Sequence, residues 1–129
     1  MNFKKLLIVT LLTFTSVLAI AHEDHSAATI KSLHGGVVKK SASTFVEVIQ
    51  EEGKIEIYVS SHDYKNLVSP KLEVSAFADV KGKKIPLKLN PTKSNLLVVT
   101  DLKKEKHFKL NVILKIAGKD EVVVFPLEN

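Results

Sequence analysis

Five histidines are the residues of this 129-residue chain best suited to chemistry, and four of them, His22, His25, His34 and His62, fall in polar stretches or at the ends of apolar runs, where side chains can converge. Imidazole is the commonest metal ligand, and Glu23, Asp24 and Asp63 set hard oxygens beside it. His22-Glu23-Asp24-His25 offers two rings and two carboxylates within four residues. A chain that begins at His22 gains an α-amino group able to chelate together with the ring, a grip suited to Cu(II). The plain alternative for this stretch is a solvated polar linker. In His34-Gly35-Gly36 the paired glycines let the backbone fold tightly and carry the ring close to neighbouring strands; the plain alternative is a turn that starts a strand. Ser61-His62-Asp63 has the letters of a hydrolase triad, but adjacent strand residues face opposite ways, so Ser61 and His62 cannot act as nucleophile and base. It reads instead as one metal ligand beside a carboxylate, or as an Asx-type turn with an exposed ring. His107, flanked by Lys106 and Lys109, reads as a surface residue.

What is missing narrows the chemistry. There is no cysteine, and the only methionine is Met1, so thiolate and thioether ligands are absent from a processed chain. That disfavours Cu(I) and leaves borderline ions: zinc, Cu(II), nickel or cobalt. All 19 basic residues are lysine, so the planar guanidinium that reads guanine edges and clamps phosphates is missing, and the basic pI does not point to nucleic acid. Phosphate-binding glycine loops, H-E-x-x-H and recognisably paired catalytic carboxylates are absent, and no enzymatic activity is expected.

The elements that must position these residues follow from periodicity. Residues 1–21 read as a secretory leader: Lys4-Lys5, an apolar run to Ile20, and a small-x-small site at Ala19-Ile20-Ala21. The run is too short for a comfortable membrane span, so cleavage is expected, with no permanent anchor and a periplasmic or secreted product. Removing 21 of 129 residues leaves 108, with 17 positive and 14 negative side chains, a net charge of +3. Residues 22–33 read as a flexible His-containing arm and 34–129 as one β domain. From Val37 on, apolar and polar residues alternate at period two in short runs separated by turn chemistry. Val46-Val48 and Ile55-Val59 pair across Glu51–Lys54. Leu72–Ala78 and Ile85–Leu89 pair across Lys81–Lys84, and Phe108–Ile116 and Val122–Leu127 across Ala117–Asp120. With Val37–Lys40 and Leu96–Thr100 added, about eight antiparallel strands are expected. The fold class is therefore all-β, an immunoglobulin-like β-sandwich of about seven or eight strands, with a small closed barrel as the alternative. Pro86 and Pro126 mark their strands as sheet edges, and Lys39-Lys40 read as solvated edge lysines.

Three segments carry a resemblance. His34-Gly35-Gly36-Val37-Val38, then Phe45-Val46-Glu47-Val48, then Ile57-Tyr58-Val59-Ser60-Ser61-His62-Asp63 resemble small periplasmic β-rich proteins linked to heavy-metal efflux, whose pattern runs H-G-G-x-V, an F-E-L-V-like strand, then V-Y-V-x-D-H. Where that pattern has Asp before His, this chain has Ser61-His62 with Asp63 after. The resemblance covers the first half of the domain and implies a periplasmic accessory role, buffering a divalent metal or delivering it to an efflux pump or its membrane-fusion subunit. It also gives a reason to pair His34 with His62 as ligands for zinc or Cu(II), assisted by Asp63 and by His22 and His25. Two other readings stay open: an envelope interaction module in which the histidines are incidental, and Cu(II) binding through the N-terminal His22.

Overall fold

The computed structural model describes residues 30–100, 102 and 105–128; the leader and the arm histidines His22 and His25 lie outside the described residues. Nine strands follow one another: β1 (Val37–Lys40), β2 (Thr44–Glu51), β3 (Lys54–Ser61), β4 (Glu73–Val80), β5 (Lys83–Leu87), β6 (Asn90–Pro91), β7 (Leu96–Val99), β8 (His107–Ile116) and β9 (Lys119–Glu128). They form two antiparallel sheets, ordered β1-β2-β3-β7-β6 and β5-β4-β8-β9. Neither closes into a barrel, and the all-β sandwich expected from the alternation is the architecture found. The three expected hairpins are β2-β3, β4-β5 and β8-β9. The strand beyond the expected eight is β6, whose two residues are too few to show a period.

The alternation sets the core. Phe108, Leu110, Val112 and Leu114 of β8 are buried between exposed or half-buried neighbours, and Ile55, Ile57 and Val59 do the same in β3. These faces meet with Val46, Val98, Ala78 and Phe125 in one cluster, each large side chain contributing roughly 1.5–3 kcal/mol on burial. Pro86 lies in β5 and Pro126 in β9, the two edges of the four-stranded sheet, where a strand tolerates a missing N–H. Among the described residues no helix is long and apolar enough to cross a membrane.

One open side of the sandwich is stitched by side chains. Lys39, on the edge strand β1, does more than face solvent: its Nζ donates to the Val124 carbonyl at 2.7 Å and stands 5.6 Å from the centre of the Phe125 ring. In the β1-β2 turn, the Ser41 hydroxyl (2.7 Å) and the Ser43 backbone N–H (2.8 Å) and hydroxyl (2.5 Å) all donate to the Glu121 carboxylate of β9. An edge strand of each sheet is thus tied to the other without a ladder between them.

Two hairpins turn on a pair of residues with positive φ, Lys81-Gly82 and Ala117-Gly118. This is the signature of the type I′ turn, which favours Asn at its first central position over residues with a full Cβ penalty. Ala117→Asn is therefore expected to stabilise the domain by about 0.5–1 kcal/mol, read as a higher urea midpoint with unchanged m. A lower midpoint would contradict the turn assignment.

Candidate functional site

Glu47 looks like an ordinary solvent-facing residue, because Val46 and Val48 on either side point into the core. It sits on the outer face of β2, level with Val38 of β1 and Tyr58 of β3. Yet Glu47 is only 5% exposed. A strap formed by residues 31–36 crosses that face and covers it. The strap binds the carboxylate through five donors. Oε1 accepts from the Ser32 hydroxyl at 2.6 Å and from the backbone N–H groups of His34 and Gly36, both at 2.9 Å. Oε2 takes the His34 ring Nδ1 at 3.0 Å and, more weakly, the Leu33 N–H at 3.3 Å. Burial alone would push this carboxyl up. The bonds from Ser32, Gly36 and His34 outweigh that and bring it down to about 2.

The glycines make the strap possible. Gly35 has φ +79, and its hydrogen-bond partner is the Ser32 hydroxyl. At Gly36 a Cβ would meet the Val48 carbonyl oxygen at 2.5 Å, so a side chain there would lift the strap off β2. The tight glycine fold that brings a ring close to neighbouring strands is present. Its anchor, Glu47, was not legible as one. Lys31, Ser32 and Leu33, read from the sequence as the end of the arm, already bond Tyr64 and Glu47, so the packed region reaches back to Lys31.

His34 is held in one orientation. Its ring stacks on Tyr58 at 3.6 Å between centroids and 11° between planes. An ionised Glu47 only accepts hydrogen bonds, so Nδ1 carries the hydrogen and the neutral ring keeps its lone pair on Nε2. The side chain is 38% exposed, which leaves the ring within reach of a solute. Beside it opens a cleft of about 250 Å³ walled by Phe45, Tyr58 and Tyr64.

Tyr64 is the second residue that the alternation did not single out. It follows His62-Asp63 in the turn after β3, closed by bonds from the Tyr64 N–H to the Ser61 carbonyl and from the Ser61 N–H to the Lys65 carbonyl, both 2.9 Å. Its φ is +62, a conformation that costs a residue with a Cβ roughly 1–2 kcal/mol. In return its ring lies 5.1 Å from Phe45, and its hydroxyl accepts the Lys31 N–H at 3.1 Å.

His62 is exposed in that turn, with its ring 4.8 Å from Phe45. The hydrogen bond from the Ser43 hydroxyl draws the Glu121 carboxyl below its usual range; burial opposes it, and the bonds from Ser41 and the Ser43 N–H add to the lowering. Asp63 is exposed in the same turn. His34 is engaged by Glu47 and Tyr58, whereas the His62 ring lies against Phe45, which also lines the cleft beside His34. Among the described residues no group of three or more His, Cys, Asp or Glu side chains is gathered to hold an ion. His107 is the surface residue expected: its ring is 74% exposed, with Nδ1 3.5 Å from a Glu128 carboxylate oxygen. No protein-family model, curated protein or solved structure matches the chain.

Because the Glu47 pKa is depressed from 4.5 to about 2, its contribution to stability is complete above about pH 4.5 and is lost as the pH falls through about 2. That contribution is at most about 3.5 kcal/mol, since a tenfold change in acidity between the folded and unfolded chain is worth ~1.36 kcal/mol. Glu47→Gln, which sets an amide against the strap's N–H donors, is expected to destabilise the domain by about 2–3 kcal/mol at pH 7. The gap between the two proteins should close as urea melts are repeated from about pH 5 down to about pH 2. A gap that stays constant would show that the charge does not hold the strap.

Proposed function

We propose that the chain is an exported β-sandwich that binds a divalent transition metal, zinc or Cu(II), at an open site centred on His34, and that it buffers the ion or passes it to an efflux system. One observation carries this reading: the buried Glu47 carboxylate takes Nδ1 of His34 and leaves Nε2 as the ring's donor atom. Carboxylate, then imidazole, then metal is the arrangement by which proteins fix the tautomer of a ligating histidine and raise its basicity. Stacking on Tyr58 removes the ring's remaining freedom, so little rotamer entropy is lost when an ion binds.

The site supplies few protein ligands, which suits a carrier better than a structural zinc site with its four. His62 and Asp63, in the turn beyond Phe45, are the described candidates for a second ligand, and the arm's His22 and His25 are candidates by chain proximity. His25 precedes His34 by nine residues, a span that an extended chain covers with roughly 30 Å. The accessory role beside an efflux pump or membrane-fusion subunit rests on the resemblance in the first half of the domain.

The test is calorimetric titration of the chain starting at His22 with zinc and with Cu(II). His34→Ala should weaken binding at least tenfold, and Glu47→Gln by about 10–100-fold through loss of the orienting bond. His62→Ala, His22→Ala and His25→Ala rank the remaining ligands. Affinity should also fall as the pH drops toward 5, because a protonated imidazole has no lone pair to give. Unchanged affinity in a folded His34→Ala/His62→Ala double variant removes the site.

A further inference from the structure

The cleft beside His34 has features that holding an ion does not call for. Its walls are apolar: the rings of Phe45, Tyr58 and Tyr64, with Leu33 and Val38 at the strap side. One of those walls is kept at a backbone cost, since Tyr64 occupies the left-handed position of its turn, where glycine or asparagine is the easy choice. Strain of this kind persists where the surrounding structure uses the side chain.

Apart from Glu47 and the His34 ring, the polar groups of the cleft have hydrogens to give. The Tyr64 oxygen accepts the Lys31 N–H, so its own hydrogen remains to be given. The Asn66 amide gives one hydrogen to the Lys93 carbonyl at 3.4 Å and accepts the Val68 N–H at 2.9 Å, which leaves its second hydrogen. Ser60 and Ser94 add hydroxyls, and Lys31 adds a positive charge. Glu47 is the one carboxylate in the lining, and both its oxygens are taken by the strap, so its lone pairs are not free to coordinate an incoming cation. A volume of about 250 Å³ falls below the ~300–1,000 Å³ of sites for drug-sized ligands.

We infer that this cleft binds a small organic acid: an alkyl or aryl body packed on Phe45, Tyr58 and Tyr64, with its carboxylate met by the Tyr64 hydroxyl, the Asn66 amide and Lys31. The inference does not depend on metal binding by His34.

The chain has two tyrosines and no tryptophan, and both tyrosines line the cleft, so intrinsic fluorescence reports from this place alone. The chain starting at His22 is titrated at pH 7.5 and fixed ionic strength, in buffer containing EDTA, with hexanoate, hexanol and hexylamine. Hexanoate is expected to give a saturable change and to bind about three- to tenfold more tightly than hexanol and at least tenfold more tightly than hexylamine. Tyr64→Phe, with Tyr58 left as reporter, and Lys31→Gln should each weaken hexanoate about three- to tenfold and leave hexanol unchanged. Hexylamine binding as tightly as hexanoate, or no saturable signal from any of the three with protein of unaltered circular dichroism, overturns the inference. With EDTA present, either result stands apart from the outcome of the zinc titration.

Discussion

A carboxylate can be taken out of water only if its oxygens are given hydrogen bonds, and the first third of this domain is arranged around one that is. Glu47 stands on the outer face of β2, where solvent would have satisfied it without cost. Its burial instead requires donors from elsewhere in the chain, and residues 32–36 supply them from one side chain, the backbone and one ring. Each consequence follows from that requirement. The strap must bend sharply, which calls for the positive φ of Gly35, and must approach β2 closely, which calls for a bare Cα at Gly36. His34 is carried onto Tyr58, and the cleft exists because the strap stands over the sheet.

Glu121 shows the same chemistry in a wetter setting. Its oxygens are met by Ser41 and Ser43 across the seam between β1 and β9, and its carboxyl is also held below its usual range. The Glu121 bonds lie near the surface, where water competes for both partners, so they orient the turn more than they stabilise it. Glu47 is shielded by the strap, and removing its partners would leave a buried charge unmatched. Two acids of identical type thus have different weight, decided by what covers them.

Much of the fold was legible because burial on one face of a strand forces a period of two. Ile55, Ile57 and Val59, or Phe108 through Leu114, announce their inner face directly, and Pro86 and Pro126 announce sheet edges by lacking an N–H. The same rule hid Glu47. Alternation assigns a glutamate between two buried valines to solvent, and nothing in the period says that a segment more than ten residues earlier returns to cover it. Tyr64 was hidden for a related reason: a left-handed residue is visible in sequence when it is glycine or asparagine, and not when an aromatic holds the place. His34 was picked out by its glycines. Its pairing with His62 needed the lateral position of two loops, which is a property of strand register and strap path rather than of spacing.

The histidine and the carboxylate form one unit with two uses, and this bears on how any activity of the site can be dissected. The Nδ1 bond helps satisfy Glu47 and at the same time decides which nitrogen of His34 faces outward. Substituting Glu47 alters the strap, the tautomer and the cleft together, so its effect on binding always contains a structural part. His34→Ala removes one of five donors to Glu47 and leaves the Ser32 and backbone bonds in place. Tyr64 and Lys31 bond each other and touch neither carboxylate oxygen. A ligand that senses Tyr64 and not His34 is therefore held by the cleft, and one that senses His34 and not Tyr64 is held by the imidazole, because Tyr64 bonds the strap at Lys31 while the His34 ring bonds Glu47.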